Sequence, residues 1–199
     1  MLSQINSSLS YAINAHHLIR KQLSPMSTFA PLKIEILTNK PEVTVAKLTG
    51  SVTGEANFSA VQIPSHNQLE LDLKGLTTIN SIGLKLFKEW SHSLKNPKIE
   101  IVHCPSFFVN QLNMIHNLVP ESAKLTSFYV PFYSPDLGEE TMVLFTYGNE
   151  LQEQPDGIVI QAPEIRDSQG DIMLMDVVAA RFFYFLCKRA GLPLLDSKK

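Results

Sequence analysis

The chain has 199 residues, of which 44% are apolar and 18% are charged. This composition excludes an intrinsically disordered chain, and the length is enough to bury a substantial core. Because 17 basic residues stand against 19 acidic ones, there is no excess of positive charge to bind a phosphate backbone, and we expect no nucleic-acid partner.

The sequence also lacks the features of a membrane or secreted protein. No segment reaches the roughly 18 apolar residues that span a bilayer, and the first residues contain no basic leader before an apolar core. The two cysteines, Cys104 and Cys187, lie in apolar sequence, which is typical of buried reduced thiols rather than a disulfide framework. These observations predict a cytoplasmic protein that does not insert into membranes.

Residues 1–25 predict an amphipathic helix that Ser24-Pro25 ends. Its apolar stripe has spacings of three and four: Leu2, Ile5, Leu9, Ala12, His16, Ile19 and Leu23. Such a stripe packs either on the rest of the chain or on a second chain. We expect it to dock on its own domain or to add to a dimer interface.

From residue 31 the pattern has a period of two. Residues 33–36, 42–45 and 69–74 alternate between apolar and polar, which predicts strands with one solvated face. A doubly wound parallel sheet would need continuous apolar strands, so the helices are expected mostly on one side of the sheet.

The remaining elements follow in chain order. We predict a loop at 75–79, a helix at 81–95, a strand at 98–102, a helix from 105 to 119 and a strand at 124–133, with parallel neighbours through right-handed crossovers. A turn at 133–138 and a strand at 141–147 then form a hairpin. Further elements are a polar connection at 149–154, a strand at 158–161, a loop at 166–171 and a buried helix at 176–189.

The most informative residues are Asn80-Ser81-Ile82-Gly83, at the start of the helix after the third strand. Asn80 is suited to cap the helix, and Gly83 permits close approach by a neighbouring backbone or a partner. Helix N-termini carry unpaired amides and partial positive charge, so a phosphate on the Ser81 hydroxyl would be stabilised there. A simple capped helix explains the same four residues.

The span from about residue 33 to 133 resembles a STAS domain, the module of anti-sigma-factor antagonists and of sulphate-transporter tails. The resemblance rests on KLTGSVTG, LELDLKGLTTINSIGL, KIEIVHCPSFFVNQLNMI and the element order. In the antagonists a kinase phosphorylates the first serine of an Asp-Ser-Ser/Thr-Gly loop. The matching positions are Ser81 and Gly83, while Asn80 and Ile82 depart from the pattern. The resemblance implies partner binding at these four residues more firmly than phosphorylation.

The residues after 133 resemble an extension of some STAS-like proteins in which paired cysteines indicate a zinc ribbon. The corresponding positions are Ser134, Leu137, Ile165 and Ser168, and none is a cysteine. Zinc needs thiolate or imidazole ligands. The resemblance therefore implies a metal-free extension with no cofactor, held by hairpin pairing and apolar packing.

These arguments predict an α/β protein with a STAS-like mixed sheet and helices on one face. Its parts are an amphipathic helix at 1–25, a STAS-like domain at 31–133 and a hairpin-and-helix extension at 134–199. The expected function is non-catalytic protein binding in bacterial signalling, with a serine kinase, an anti-sigma-like protein or a transporter component as partner. The alternatives are an accessory subunit of a transport or envelope complex, and a structural homodimer assembled through the N-terminal helix.

An enzyme is not expected. The sequence has no G-x-S-x-G elbow, no glycine-rich phosphate loop and no H-E-x-x-H motif. His103 and Cys104 are residue types that form catalytic base and nucleophile pairs, but neighbouring residues of a strand point to opposite faces.

Overall fold

A computed structural model of the chain describes residues 30–39, 42–65 and 68–195. The helix predicted over 1–25 lies outside these residues, as do the docking and homodimer expectations that depend on it. The described residues have a mixed α/β fold with three sheets, which confirms the predicted class.

The first sheet has five strands whose spatial order equals their chain order. They are β1 (Lys33–Asn39), β2 (Val43–Val52), β3 (Gln68–Ile79), β4 (Ile99–Val102) and β5 (Ala123–Leu125). β1 is antiparallel to β2, and the other neighbours are parallel. Because the parallel crossovers all run in one direction, right-handed connections place their linking segments on one face of this sheet.

Ring contacts join the segments that cover this face. They are a 3-10 turn (Phe58–Ala60) and the helices α1 (Ser81–Ser93) and α2 (Ser106–Met114). The ring of Phe87 in α1 lies 6.0 Å from that of Phe58 and 5.0 Å from that of Phe108 in α2. Since these segments cover one face of the sheet, burial alternates along β3: Leu71 is buried, and Asp72 lies on the opposite face.

The remaining strands form two small sheets. Their elements are β6 (Ser127–Tyr133), β7 (Glu140–Thr146), β8 (Leu151–Gln154), β9 (Gly157–Ile160), β10 (Leu174–Met175), α3 (Ala179–Phe182), α4 (Tyr184–Ala190) and β11 (Leu194–Leu195). The sheet orders are β10-β6-β7 and β11-β9-β8. The predicted hairpin is confirmed as β6 and β7. Since β10 also pairs with β6, one sheet contains strands from both sides of residue 133.

Residues 75–79 continue β3, so the predicted loop is wrong. A side chain at Gly75 would lie 2.4 Å from Thr49 Cγ2, which shows how closely β2 and β3 approach. The register shifts twice along this pair of strands, and Gly50 has a φ of +88°. Gly75 is therefore a strand glycine beside an irregularity and not a turn residue.

Residues 149–154, predicted as a connection, contain the strand β8. Leu151 is fully buried and pairs with Ile160, and the hairpin turns at residues 155 and 156. The single strand predicted at 124–133 is two strands, β5 and β6, separated at Thr126. The Thr126 amide donates to the Ile101 carbonyl at 2.9 Å.

Both later helices are shorter than predicted. α2 ends at Met114, and Asn117 adopts a φ of +54°, a conformation that asparagine tolerates better than most residues. The closing helix is broken at Phe183, where Asn113 of α2 bridges the gap. Its Nδ2 donates to the Phe182 carbonyl at 2.9 Å, and its Oδ1 accepts from the Phe185 amide at 2.8 Å.

Candidate functional site

The predicted cap at the start of α1 is confirmed. Asn80 Oδ1 accepts a hydrogen bond from the Gly83 amide at 2.8 Å, and the Asn80 carbonyl accepts one from the Leu84 amide, also at 2.8 Å. The Asn80 amide in turn donates to the Val52 carbonyl at 3.1 Å. The helix start is therefore tied to the carboxyl end of β2 as well as capped.

Gly83 is required by a neighbouring backbone. It is buried, and a Cβ atom built on it would lie 1.9 Å from the Val52 carbonyl oxygen and 2.9 Å from the Thr53 amide nitrogen. No side chain fits at that distance. The sequence left open whether a backbone or a partner approaches Gly83, and this contact identifies the backbone between β2 and the following turn.

Ser81 and Ile82 are exposed, and 62% of the Ile82 surface is accessible. Ile82 leans over the turn at Gly54, since a Cβ atom on that glycine would lie 3.2 Å from Ile82 Cγ2. The amides of Ser81 and Ile82 have no hydrogen-bond partner within the described part of the chain. The start of α1 thus combines an exposed hydroxyl, free amides and an exposed apolar side chain.

The charged residue of α1 nearest to Ser81 is Lys85, while Glu55 follows the Gly54 turn that Ile82 contacts. The first turn of α1 contains no acidic residue. Lys85 follows Ser81 by four residues, so it lies on the same face one turn along the helix. Lys85 also forms a long pair with Glu89, with 3.9 Å between Nζ and Oε1, which leaves the ammonium group largely solvated.

His103 and Cys104 do not form a nucleophile and base pair. Cys104 is fully buried, its Sγ lies 3.7 Å from the Pro105 carbonyl oxygen, and burial raises the pKa of this thiol well above its ordinary value. His103 instead directs Nδ1 to Asp72 Oδ1 at 3.0 Å. A protonated buried thiol is a poor nucleophile.

The structure brings together the two turns, at residues 134–139 and 166–171, that lie at the cysteine positions implied by the resemblance. Ser134 Oγ donates to Asp167 Oδ2 at 2.7 Å, and the Leu137 amide donates to Ser134 Oγ at 3.3 Å. Glu139 accepts hydrogen bonds from both the amide and the hydroxyl of Ser168. These bonds link residues 134–139 to residues 166–171 and form a polar clasp between the two turns.

The two carboxylates of this clasp were missed in the sequence. Ser134 donates to Asp167 and lowers the pKa of that carboxyl, and the backbone amides of residues 169–171 act in the same direction. The only sequence signal was the turn composition of residues 166–171, which contain serine, glycine and two aspartates. Within the described ranges, no three histidine, cysteine or acidic side chains gather as metal ligands.

Two open grooves lie away from the Ser81 site. One, of about 680 Å³, runs between residues 56–65 and the C-terminal half of α1, beside Trp90. The other, of about 530 Å³, lies between α2, Pro131 and α3. Neither is lined by residues 80–83.

No protein family, curated protein or solved structure matches this chain. Within the described residues, no helix is both long and apolar enough to cross a membrane.

Proposed function

We propose that this chain is a non-catalytic regulatory module that binds a protein partner through residues 80–83, similar to the STAS domains of bacterial anti-sigma-factor antagonists. The observation that carries the proposal is the pairing of an exposed Ser81 hydroxyl with the exposed Ile82 side chain at a rigidly held helix start. Regulation by a serine kinase would place the protein in the cytoplasm.

Ile82 supplies the contact energy of the proposed interface. An isoleucine side chain that passes from water into an interface gains up to about 1.5–3 kcal/mol, and 62% of this residue is still accessible. The Asn80 amide donates to the Val52 carbonyl of β2, and the Asn80 side chain accepts from the Gly83 amide, so the backbone around Ile82 is held in place. The apolar contact is therefore preorganised, which lowers the entropy lost on binding.

Ser81 supplies the switch. In the free protein a phosphate there meets two unpaired amides and the helix dipole, which contribute about 0.3–1 kcal/mol, and Lys85 lies one turn away. A partner packed over the same point would desolvate roughly two negative charges. Unless it offered a cation, the complex would be disfavoured. Phosphorylation is thus tolerated by the fold and opposed by the complex.

The test compares three forms of the protein with a partner recovered by pull-down from the native host. Ser81→Ala should bind like the wild type, and Ser81→Asp should bind at least about tenfold more weakly, a difference of about 1.4 kcal/mol. Ile82→Ala should also weaken binding, because it removes the apolar contact.

Ser106→Asp is a matched control. Ser106 is the first residue of α2, so the substitution places the same charge at the same helix position outside the proposed interface. It should leave the affinity unchanged. If Ser81→Asp bound as tightly as Ser106→Asp, and mass spectrometry found no phosphate on Ser81 in protein from the host, the switch would be rejected and the capped-helix interpretation would remain.

A further inference from the structure

β7 is an edge strand whose outer backbone groups point away from its sheet. Its strand partner in the described part of the chain is β6 alone. The Tyr147 amide donates to the Thr126 carbonyl at 3.0 Å, on the β6 side, while the Thr146 amide donates to Glu150 Oε2 at 2.9 Å. Because the direction of backbone groups alternates along a strand, those of Met142 and Leu144 point outward, as that of Thr146 does.

This edge lacks the protection that β1 has at the edge of the first sheet. β1 carries Lys33 and Glu35, which form an ion pair, and its register shifts between Ile36 and Thr38. The charge of β7 is confined to its first residue, Glu140. Residues 141–146 have no charge and no proline, and their register with β6 is continuous. Native edge strands are usually blunted by charge, proline or a bulge, so an unblunted edge indicates a partner strand.

We propose that the partner is a second copy of this chain, paired antiparallel through β7 about a two-fold axis at Val143. In this register Met142 lies opposite Leu144 of the second copy, and the two pairs exchange four backbone hydrogen bonds. The outward backbone amides and carbonyls of Met142 and Leu144 in one copy thereby bond to those of Leu144 and Met142 in the other. A two-fold contact of this kind closes on itself and gives a dimer.

The neighbouring residues disfavour the two adjacent registers. An axis at Leu144 would need the Thr146 amide, which Glu150 already occupies. An axis at Met142 would place the Glu140 carboxylate beside Leu144 of the second copy. The axis at Val143 pairs the free backbone groups of Met142 and Leu144 and sets their apolar side chains against each other. The pairing ends before Thr146, whose outward amide and carbonyl are occupied by Glu150 and Asn149.

The side chains extend the same match. Met142 and Leu144 pair across the hairpin with Pro131 and Tyr129, so the four residues lie on one face of the sheet. Met142 is 51% exposed. Pairing at β7 would join the two faces into one apolar strip, and contact between the Met142 and Leu144 side chains of the two copies would shield both.

The test measures the mass of the full-length protein by sedimentation equilibrium over a range of concentrations. The wild type should be in monomer–dimer equilibrium. Met142→Lys/Leu144→Lys places four lysines around the axis and should raise the dissociation constant at least about 100-fold, since like charges directly opposite on neighbouring strands repel.

Met142→Lys/Leu144→Glu checks the register. The lysine at position 142 would face the glutamate at position 144 of the second copy, so this variant should remain a dimer. Leu37→Lys is a matched control, because Leu37 is 55% exposed on the edge strand β1. It should leave the dimer unchanged. Circular dichroism verifies that each variant is folded.

Hydrogen exchange gives a readout that needs no variant. The amides of residues 142 and 144 should exchange more slowly as the protein concentration rises. A monomeric wild type at all concentrations would overturn the proposal, and so would a dimer that survives the double-lysine substitution or species that grow beyond a dimer. The result does not depend on Ser81, so it is independent of the proposed regulatory function.

Discussion

Replacing Gly83 with alanine tests how closely the start of α1 is held against β2. The new Cβ atom would lie 1.9 Å from the Val52 carbonyl oxygen and 2.4 Å from the Val52 carbonyl carbon. Ordinary contact begins at 3.4 Å, so the two segments would have to separate by about 1.5 Å. Both atoms belong to the backbone of β2, and no side-chain rotation relieves the clash.

Two opposing effects decide the sign of the change. Alanine is favoured over glycine inside a helix by about 1 kcal/mol. Against this, forced separation of packed elements costs about 1–3 kcal/mol. The movement also weakens the bonds from the Gly83 amide to Asn80 and from the Asn80 amide to Val52, each contributing about 0.5–1.5 kcal/mol. We expect a net loss of about 2–4 kcal/mol in the free energy of unfolding.

The measurement is urea and thermal unfolding of the full chain, where this loss corresponds to a fall in melting temperature of about 4–16 °C. Gly54→Ala is the control, because its Cβ atom would meet side-chain atoms of Ile82 and no backbone, with Cγ2 nearest at 3.2 Å. That side chain can rotate, so the control should stay within about 1 kcal/mol of the wild type. If Gly83→Ala were as stable as Gly54→Ala, the close approach to Val52 would be refuted.

Two further substitutions probe contacts away from the site. Asn113→Ala should lower the free energy of unfolding by about 2 kcal/mol, because it removes both bonds across the break between α3 and α4. Urea unfolding should show less than about 0.5 kcal/mol for Asn110→Ala, an exposed position on the same helix, and equal losses would contradict the bridging role. Since Ser134 lowers the pKa of Asp167, the stability from this carboxylate is present above its ordinary pKa of about 3.9 and is lost as pH falls through the lowered value. Asp167→Asn should therefore reduce stability at neutral pH and flatten its dependence on pH below about 4, and a profile parallel to that of the wild type would contradict the clasp.

The parts of the fold that depend on neighbouring residues could be predicted from the sequence. The alternation at residues 69–74 needs only neighbouring positions, and the structure places it in β3 with alternate residues buried. The Asn80 cap joins residues three apart, so it too is visible in the sequence. Elements that depend on pairing with a distant strand could not be predicted in this way. β8 reads Leu-Gln-Glu-Gln, and its assignment as a strand depends on pairing with β9, which lies later in the chain.

Long-range contacts account for what the sequence left open at the candidate site. Gly83 has an obvious use as a small residue, but the atom that demands it belongs to Val52, 31 positions earlier in the chain. Likewise, Asn113 is an ordinary polar residue in the sequence of α2, and its role appears only where Phe182 and Phe185 leave backbone groups to be satisfied. A single sequence shows which residue types suit a local position. Which distant residue each one contacts is decided by the tertiary structure.

The polar clasp shows the same limit in another form. The resemblance to metal-binding extensions placed cysteine positions at Ser134 and Leu137 and near Ile165 and Ser168, and hydrogen bonds join these two turns in the structure. The groups that join them are the carboxylates of Asp167 and Glu139, acting across 33 and 29 residues. A carboxylate that accepts hydrogen bonds from a hydroxyl and from backbone amides fixes a turn through several weak contacts, where a metal would use four strong ones. Two carboxylates thus join the turns at residues 134–139 and 166–171, and the ionised Asp167 supplies one of the two links.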